Sequence, residues 1–524
     1  MPREAEESPL AKESQTQFKI LENSSIPQLP DIKDKTKVDI RYPLLPPYAY
    51  ARIAWDDQHH ELVYTVEEPL LTEEESIMLA DVEKGIEEII NISFINVKQT
   101  AVIVAYLEEN IQVLLAELGY KVSEETVLKL MYYVYRDFVG LNEIEPLMKD
   151  YFIEDIECNG AKTPLYIVHR KYRNLRTNII FQDLAHLTSF VEKLAQKCGK
   201  YISYANPLLD GRLPDGSRIN ATFTEEISSR GPSFTIRRFT SEPFSPVKMM
   251  QLKTLSPEIL AYLWLLIEYE SNFVVIGGTG SGKTSLLNSL AFFIPPQARI
   301  VSIEDTHELA LMHENWLPSV ARQATGVGTE GTLGEVDLFT LLKESFRQRP
   351  DYVIVGEIRG KEAFVLFQGA ASGHATACTM HAEDVETMVK RLETPPISLS
   401  PALIEIIDVV CIMGQVKVQG ETVRRLKSIV EIIEVNGSAV KTNTPFLWDP
   451  RSDTFFFKTE SVVFQKIIKN SGMPMEELQK EFTRRTKLLM ELYRRNITDF
   501  RQVQEVIDIY YKTPEEVVRR FNLG

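Results

Sequence analysis

Eight consecutive residues, Gly277-Gly278-Thr279-Gly280-Ser281-Gly282-Lys283-Thr284, fit the spacing G-x-x-x-x-G-K-[ST] at every fixed position. The chemistry suited to that spacing is phosphate binding. Glycines let backbone N–H groups curl around phosphate oxygens. A helix that starts here points its positive end at the same anion. Lys283 supplies a mobile cation for the β- and γ-phosphates, Thr284 offers a hydroxyl to Mg²⁺, and Ser285 completes the candidate set. A plain glycine turn explains the glycines but not the Lys-Thr pair. The segment predicts binding of ATP with Mg²⁺.

Cleavage of a phosphate bond asks for more: a metal shell, a positioned water and compensation of charge. Downstream stretches offer carboxylates. "RIVSIEDTHEL" places Glu304, Asp305 and Glu308 after an apolar run, and "DYVIVGEIRG" ends another run in Gly356-Glu357. A carboxylate at the C-terminal edge of a strand faces the ligand crevice of an open α/β sheet. The competing reading is an acidic cap on the next helix. "SGHATACTMHAED" adds His374 and His381 on either side of a small-residue strand, where an imidazole can contact phosphate or sense its loss.

These residues need a scaffold whose strand ends share one edge. "FVVIGG", "RIVSIED", "DYVIVGE" and "ATACTMHA" are apolar with little polar alternation, and helical segments separate most of them. Such runs suit a parallel sheet buried on both faces. "DVVCIMG" and "LKSIVEIIEV" are expected to extend it. The helix "SPEILAYLWLLIEY" has Ser256 as N-cap and Pro257 at its first position.

The domain reading runs as follows. Residues 1–40 form a flexible lead, and 41–140 a strand-then-helix region whose "DDQHH" makes a turn carrying His59 and His60. Residues 141–240 form an α+β N-domain and 241–255 a linker. Residues 256–459 make an α/β, RecA-like P-loop core with a mostly parallel sheet, and 460–524 a C-terminal helical segment with a capped start at Thr513.

Bulk composition narrows the classes. The 524 residues carry a formal net charge of −16, against a broad nucleic-acid surface. Cys158, Cys198, Cys378 and Cys411 form no CxxC pair, so zinc is not expected and each is read as a small buried hydrophobe. No charged-then-apolar leader opens the chain, and "ILAYLWLLI" is too short to span a bilayer. The expected place is the cytoplasm or the cytoplasmic face of a membrane.

The ordered motifs resemble one family closely: the hexameric type II/type IV secretion and pilus-assembly ATPases, in the archaeal branch that includes the archaellum motor. The match rests on the P-loop, on "IVSIEDTHEL" (similar to the aspartate box), on "RQRPDYVIVGEIRG" (similar to an unusual Walker B) and on "GHATACTMHAED" (similar to the histidine box). "NPLLDGRLPDGSRINAT" resembles the N-domain signature. The tetracysteine zinc insert common in bacterial secretion members is missing.

The resemblance implies an ATP-driven homo-hexameric motor that works on a polytopic membrane platform protein and extrudes pilin-like subunits. It implies Glu357 in the magnesium and water shell and Glu304 as the group polarising the attacking water, with Glu308 or Glu357 as alternatives. The glycine before Glu357 is read as leaving space beside the metal. It places charge-stabilising arginines in the N-domain, favouring Arg212, Arg218 and Arg237 among candidates that include Arg230, Arg238, Arg347 and Arg349. "HRKYRNLR" is read as a solvated hairpin, or as a subunit or partner contact. Rival readings are a DNA-conjugation or type IV secretion ATPase, a nucleic-acid motor, and a nucleotide-gated scaffold without hydrolysis.

Overall fold

The computed structural model describes residues 18–21, 27, 29–30, 34–89, 100–239, 242–322, 334–418, 420–436 and 439–523. The chain divides into two compact units, Met1–Phe239 and Thr240–Gly524.

The first unit is built on one nine-stranded sheet. Its strands are β1 (Asp39–Leu45), β2 (Ala49–Asp56), β3 (Glu61–Glu67), β4 (Ile153–Cys158), β5 (Pro164–His169), β6 (Arg173–Ile180), β7 (Leu208–Arg212), β8 (Arg218–Thr222) and β9 (Ser233–Arg237). Their order is β1-β2-β3-β6-β5-β4-β9-β8-β7. A parallel seam, Val63 beside Arg176 and Tyr64 beside Thr177, joins the first three strands to the rest. Regions 41–140 and 141–240 therefore share a sheet, and also a core that runs from Tyr42 and Tyr64 to Phe190 and Ile236. Two short hydrophobic patterns separated by helices looked like two modules; neither buries its apolar face without the other. The helices Glu73–Ile89, Thr100–Glu117 and Glu124–Val134 form the helical half of the strand-then-helix region.

Most of the lead 1–40 lies outside the described residues. Within it Phe18 is buried and stacks on Tyr48 at 5.1 Å, and β1 already begins at Asp39, so the flexible reading does not hold for those residues. The basic stretch 170–176 does turn a hairpin between β5 and β6, and residues 57–60 turn between β2 and β3.

At the base of the first hairpin His169 is fully buried between Phe152 and Tyr172, and its Nδ1 accepts the N–H groups of Lys171 and Tyr172, each at 3.1 Å. Burial, aided by the Arg170 and Lys171 charges, pushes its pKa down to about 3. The unfolded chain takes up this proton near the ordinary 6.5 while the folded one does not. Stability is therefore lost as pH falls from about 6.5 toward 3, by about 1.4 kcal/mol per pH unit. His169→Asn keeps an acceptor for the turn and should flatten the pH dependence of the urea midpoint over that window. An unchanged slope would rule His169 out as the titrating group.

The second unit holds another nine-stranded sheet. It contains β10 (Phe273–Ile276), β11 (Ile300–Glu304), β12 (Trp316–Val320), β13 (Tyr352–Val355), β14 (Ala375–Met380), β15 (Val409–Val418), β16 (Glu421–Asn436), β17 (Ala439–Asp449) and β18 (Thr454–Phe457). The order is β12-β11-β13-β14-β10-β15-β16-β17-β18; β12 through β15 pair in parallel, and the last three strands continue antiparallel. Both faces are covered. Val275, Ile300 and Ile354 enter one core cluster, while Val274, Val301 and Val353 enter the other. That is why these strands lack polar alternation. The unforeseen strands β12, β17 and β18 lie at the sheet's two margins, where partial exposure mixes their composition.

Two boundaries change. Region 241–255 contains the helix Pro246–Gln251, capped by Ser245, with Val247 and Met249 buried in this unit's core, so it is not a bare linker; residue 241 is outside the described set. The C-terminal helices are part of the same body. Leu488, Leu489, Leu492, Val503 and Ile507 share a core with the helix Pro257–Glu268, and buried Arg485 pairs with Glu268 below the Trp264 ring. The last helix does begin at Pro514, but no side-chain cap comes from Thr513, whose hydroxyl is committed to Glu516 and Ile509. Ser256 caps its helix as expected. Cys158, Cys378 and Cys411 are buried and Cys198 half-buried.

Candidate functional site

Four strands end at the same edge of the second sheet. Register pairs Ile276 with Met380, Val355 with Cys378, and Ile303 with Val355. Gly277, His381, Glu357 and Glu304 therefore follow one another along that edge as the continuations of β10, β14, β13 and β11. Parallel strands in register do this by construction: the backbone ladder fixes which termini are neighbours.

The Gly277–Thr284 loop leaves β10 and enters the helix Lys283–Ala291. Gly277 permits a close approach, since a Cβ there would meet the Met413 carbonyl at 2.5 Å and Ser281 Oγ at 2.6 Å. Gly278, Thr279 and Gly280 form an exposed tip; Thr284 and Ser285 are half-buried. Lys283 is buried, and its Nζ donates to the Gly277 and Gly278 carbonyls at 3.1 and 3.0 Å. Burial holds its pKa below the ordinary lysine value, Arg359 adds to that, and the Glu357 and Glu308 charges oppose it.

Glu357 sits in a turn built to present it. Ile358 N–H donates to the Thr379 carbonyl at 2.9 Å, and Thr379 Oγ1 donates to the Gly356 carbonyl at 2.6 Å. Glu362 Oε1 accepts the N–H groups of Arg359 and Gly360 at 2.6 and 2.7 Å. Arg359 donates to Glu357 Oε2 at 2.5 Å. Glu357 Oε1 is buried and accepts no hydrogen bond. His381 Nε2 lies 3.3 Å from that oxygen but outside hydrogen-bond geometry. Burial first, then the Lys283 charge, keep the His381 pKa below its usual value, so at pH 7 the ring is neutral and forms no ion pair.

Glu304 ends β11 fully buried. Its Oε1 accepts the N–H groups of Glu308 and Leu309 at 2.8 and 2.9 Å, and its Oε2 lies 3.1 Å from His307 Nδ1. Two backbone donors thus lock the carboxylate's plane. Asn288, on the P-loop helix, accepts Ala310 N–H at 3.2 Å and ties this turn to the phosphate loop. Gly356 makes room for Glu304: a Cβ on it would stand 3.2 Å from Glu304 Cγ. The Gly356 position thus borders the side-chain methylenes of Glu304. Glu308 is exposed.

The two histidines of "GHATACTMHAED" are not together. His374 precedes β14 and packs edge-on against Phe346, while His381 follows it, ~20 Å along the strand. Arg347 and Arg349 likewise precede β13, at the edge opposite Glu357, with Arg347 paired to Glu344.

In the first unit Arg212 faces Arg218, Arg218 faces Arg237, and Arg237 faces Asp155 across adjacent strands. The favoured arginines therefore form one row on the more open face of the sheet. Arg218 is bound by Asp210 at 3.2 and 3.0 Å and Arg237 by Asp155 at 3.2 Å. Arg212 reaches only the Gly216 carbonyl, at 3.4 Å. Cations directly opposite each other destabilise a sheet. Arg238 is set apart, its guanidinium turned onto the Asp150 carbonyl.

Spacing did not expose Arg359, His307, Asn288 or Arg424. Arg359 stood in plain view inside "GEIRG"; His307 reaches the site through the turn after β11, Asn288 from the P-loop helix, and Arg424, on β16, through its hydrogen bond to the Gly280 carbonyl.

A loop of this form, on the C-terminal edge of a parallel sheet beside buried carboxylates, defines a P-loop ATPase. The chain belongs to the type II/IV secretion system protein family, whose model matches residues 139–430. A second model, PilB3-like, C-terminal, matches residues 451–523. Among curated relatives, the uncharacterized protein MJ0900 of Methanocaldococcus jannaschii is 38% identical over 400 residues, 75% of this chain and 71% of that one. The type IV secretion system protein PtlH of Bordetella pertussis is 30% identical over 270 residues, 45% of this chain and 78% of that one. Among solved structures, the ATPase DotB of Legionella pneumophila is 16% identical with a TM-score of 0.37, covering 68% of this chain and 91% of that one. No helix among the described residues is long and apolar enough to cross a membrane.

Proposed function

We propose that this chain is a homo-hexameric motor that hydrolyses ATP to drive assembly of type IV pilus-like filaments, or type II-like secretion, from the cytoplasmic face of a membrane. The observation carrying the reading is the convergence of Lys283, Glu304, Glu357 and His381 on one sheet edge around the phosphate loop. The PilB3-like match over residues 451–523 favours pilus-type work over DNA conjugation, and the net charge of −16 counts against a nucleic-acid motor.

Backbone N–H groups of the loop receive the phosphates, and Lys283 exchanges the Gly277 and Gly278 carbonyls for their oxygens. The buried, unpartnered Oε1 of Glu357 fits a hard cation or its water, with the Thr284 hydroxyl as the other protein ligand. Mg²⁺ held there supplies charge neutralisation on the β- and γ-phosphates. Glu304 Oε1 is fixed by two N–H groups, and Oε2, 3.1 Å from His307 Nδ1, keeps a further lone pair to take a proton from the attacking water. Neutral His381 stands beside Glu357, placed to respond when the γ-phosphate leaves.

The arginine row supplies charge compensation. Arg212 lacks a carboxylate partner among its hydrogen bonds and is the strongest candidate, followed by Arg218 and Arg237. The partner that receives the work is a polytopic membrane platform protein.

Light scattering of the full chain with ATP should give six times the 59.9 kDa protomer mass, and Arg212→Gln should lower turnover by about 10³-fold while leaving that mass unchanged. A persistent monomer, or full turnover in Arg212→Gln, would remove catalysis shared across a ring.

A further inference from the structure

β16 carries two consecutive arginines with different targets. Arg424 Nε donates to the Gly280 carbonyl, at the exposed tip of the phosphate loop, at 2.9 Å. Its Cδ lies 3.3 Å from where a Cβ on Gly282 would stand. Arg425 is buried and forks onto both oxygens of Asp453 at 2.8 and 3.0 Å, with a further hydrogen bond to the Leu252 carbonyl at 2.9 Å. Leu426 N–H donates to the Thr254 carbonyl at 2.8 Å. One short piece of strand thus touches the phosphate loop and also the chain just after the helix Pro246–Gln251.

A local irregularity puts Arg424 in place. Ile412 pairs with Ser428 and Met413 with Leu426, so Lys427 has no partner on β15. This is a β-bulge. An extra residue exchanges the faces of everything beyond it, and bulges recur beside active sites because they re-aim a side chain. Ile429 and Leu426 share one core cluster although they stand three positions apart, which an unbroken two-residue alternation forbids. Lys427 lies across Gly414, where a Cβ would come within 2.1 Å of its Cε. Without the bulge Arg424 would face away from Gly280.

Two cations therefore hold the loop, one at each end. Lys283 grips the Gly277 and Gly278 carbonyls, which under the proposed function it exchanges for phosphate oxygens. Arg424 grips the tip through a carbonyl that no phosphate competes for. A trans peptide is planar, so fixing the Gly280 C=O also fixes the Ser281 N–H on the opposite side. That N–H makes only a long contact here, 3.4 Å to the Gly278 carbonyl.

We propose that Arg424 is a positioning residue of the phosphate loop, which turns the Gly280 carbonyl outward and so aims the Ser281 N–H at the phosphates of a nucleoside triphosphate. The assignment rests on the nucleotide reading of this loop. It concerns affinity, because the guanidinium acts on the loop and not on the reacting atoms.

The test uses the full chain, a fluorescent ATP analogue for Kd, steady-state ATP turnover and thermal melting. Arg424→Gln should raise Kd and KM about tenfold, the scale of one charge-assisted hydrogen bond, with kcat within about twofold and an unchanged melting temperature. Arg424→Lys should recover most of the affinity, since an ammonium can still donate to a single carbonyl. Wild-type Kd and KM in Arg424→Gln would overturn the assignment. So would a lowered melting temperature with equal losses in the Gln and Lys variants, which marks a merely structural contact. Wild-type affinity in a Lys283→Ala arm would place the nucleotide elsewhere than this loop, and remove the Arg424 role with it.

Discussion

Lys283→Ala is expected to cut ATP turnover by at least about 10²–10³-fold, the scale seen when one preorganised charge-stabilising donor is lost. Lysine is the loop's own cation, and it is buried beside Glu357 and Glu308. Its removal leaves those carboxylates facing an incoming polyanion with less compensation, so triphosphate affinity should fall together with turnover. A second readout separates this from misfolding. The Lys283 charge helps hold the His381 pKa down, so its loss should let that pKa rise toward the ordinary histidine value. NMR titration of the imidazole in the variant checks this, alongside turnover measured with saturating Mg²⁺. Near-normal turnover in a folded variant would end the motor reading, because Lys283 is the cation that grips the Gly277 and Gly278 carbonyls of the loop.

The second large effect divides the two carboxylates Glu304 and Glu357. Glu304→Gln should bind ATP with near wild-type affinity and lose about 10²–10⁴-fold in turnover, the range for a removed general base. The amide oxygen of glutamine can still accept the Glu308 and Leu309 N–H groups, so the turn after β11 survives while the proton acceptor disappears. Glu357→Gln should behave differently. It removes charge from the oxygen assigned to the metal and from the partner of Arg359, so turnover should fall and the Mg²⁺ concentration needed for half-maximal activity should rise. Measuring both variants across a Mg²⁺ series decides the assignment. If Glu304→Gln keeps full turnover, the proton goes to Glu357 or Glu308. If Glu357→Gln shows an unchanged Mg²⁺ requirement, its carboxylate is not a metal ligand. Wild-type turnover that vanishes in Glu357→Gln while nucleotide binding persists also excludes a scaffold that never hydrolyses.

The sequence by itself determined the phosphate loop, because its chemistry is local. Glycines, lysine and threonine act within eight residues, between a strand and a helix that the same stretch encodes. It determined the parallel core as well: runs such as "YVIV" lack alternation because both sheet faces are covered. With strand ends known, Glu304, Glu357 and His381 could be placed at one edge, since parallel strands align their termini.

Only the tertiary structure decided the rest. His374 and His381 occupy opposite ends of one strand, which spacing of seven residues expresses equally well as a pair. Arg212, Arg218 and Arg237 form a row only because antiparallel register makes them partners. Arg424 meets Gly280 only because Lys427 is bulged out of β16. The region 41–140 proved inseparable from 141–240 because Val63 and Tyr64 pair with a strand more than a hundred residues away. The physical reason is common to these cases. Residue type and helix or strand period are properties of neighbours in the chain, whereas register, bulges and buried cores are properties of segments that meet only after folding.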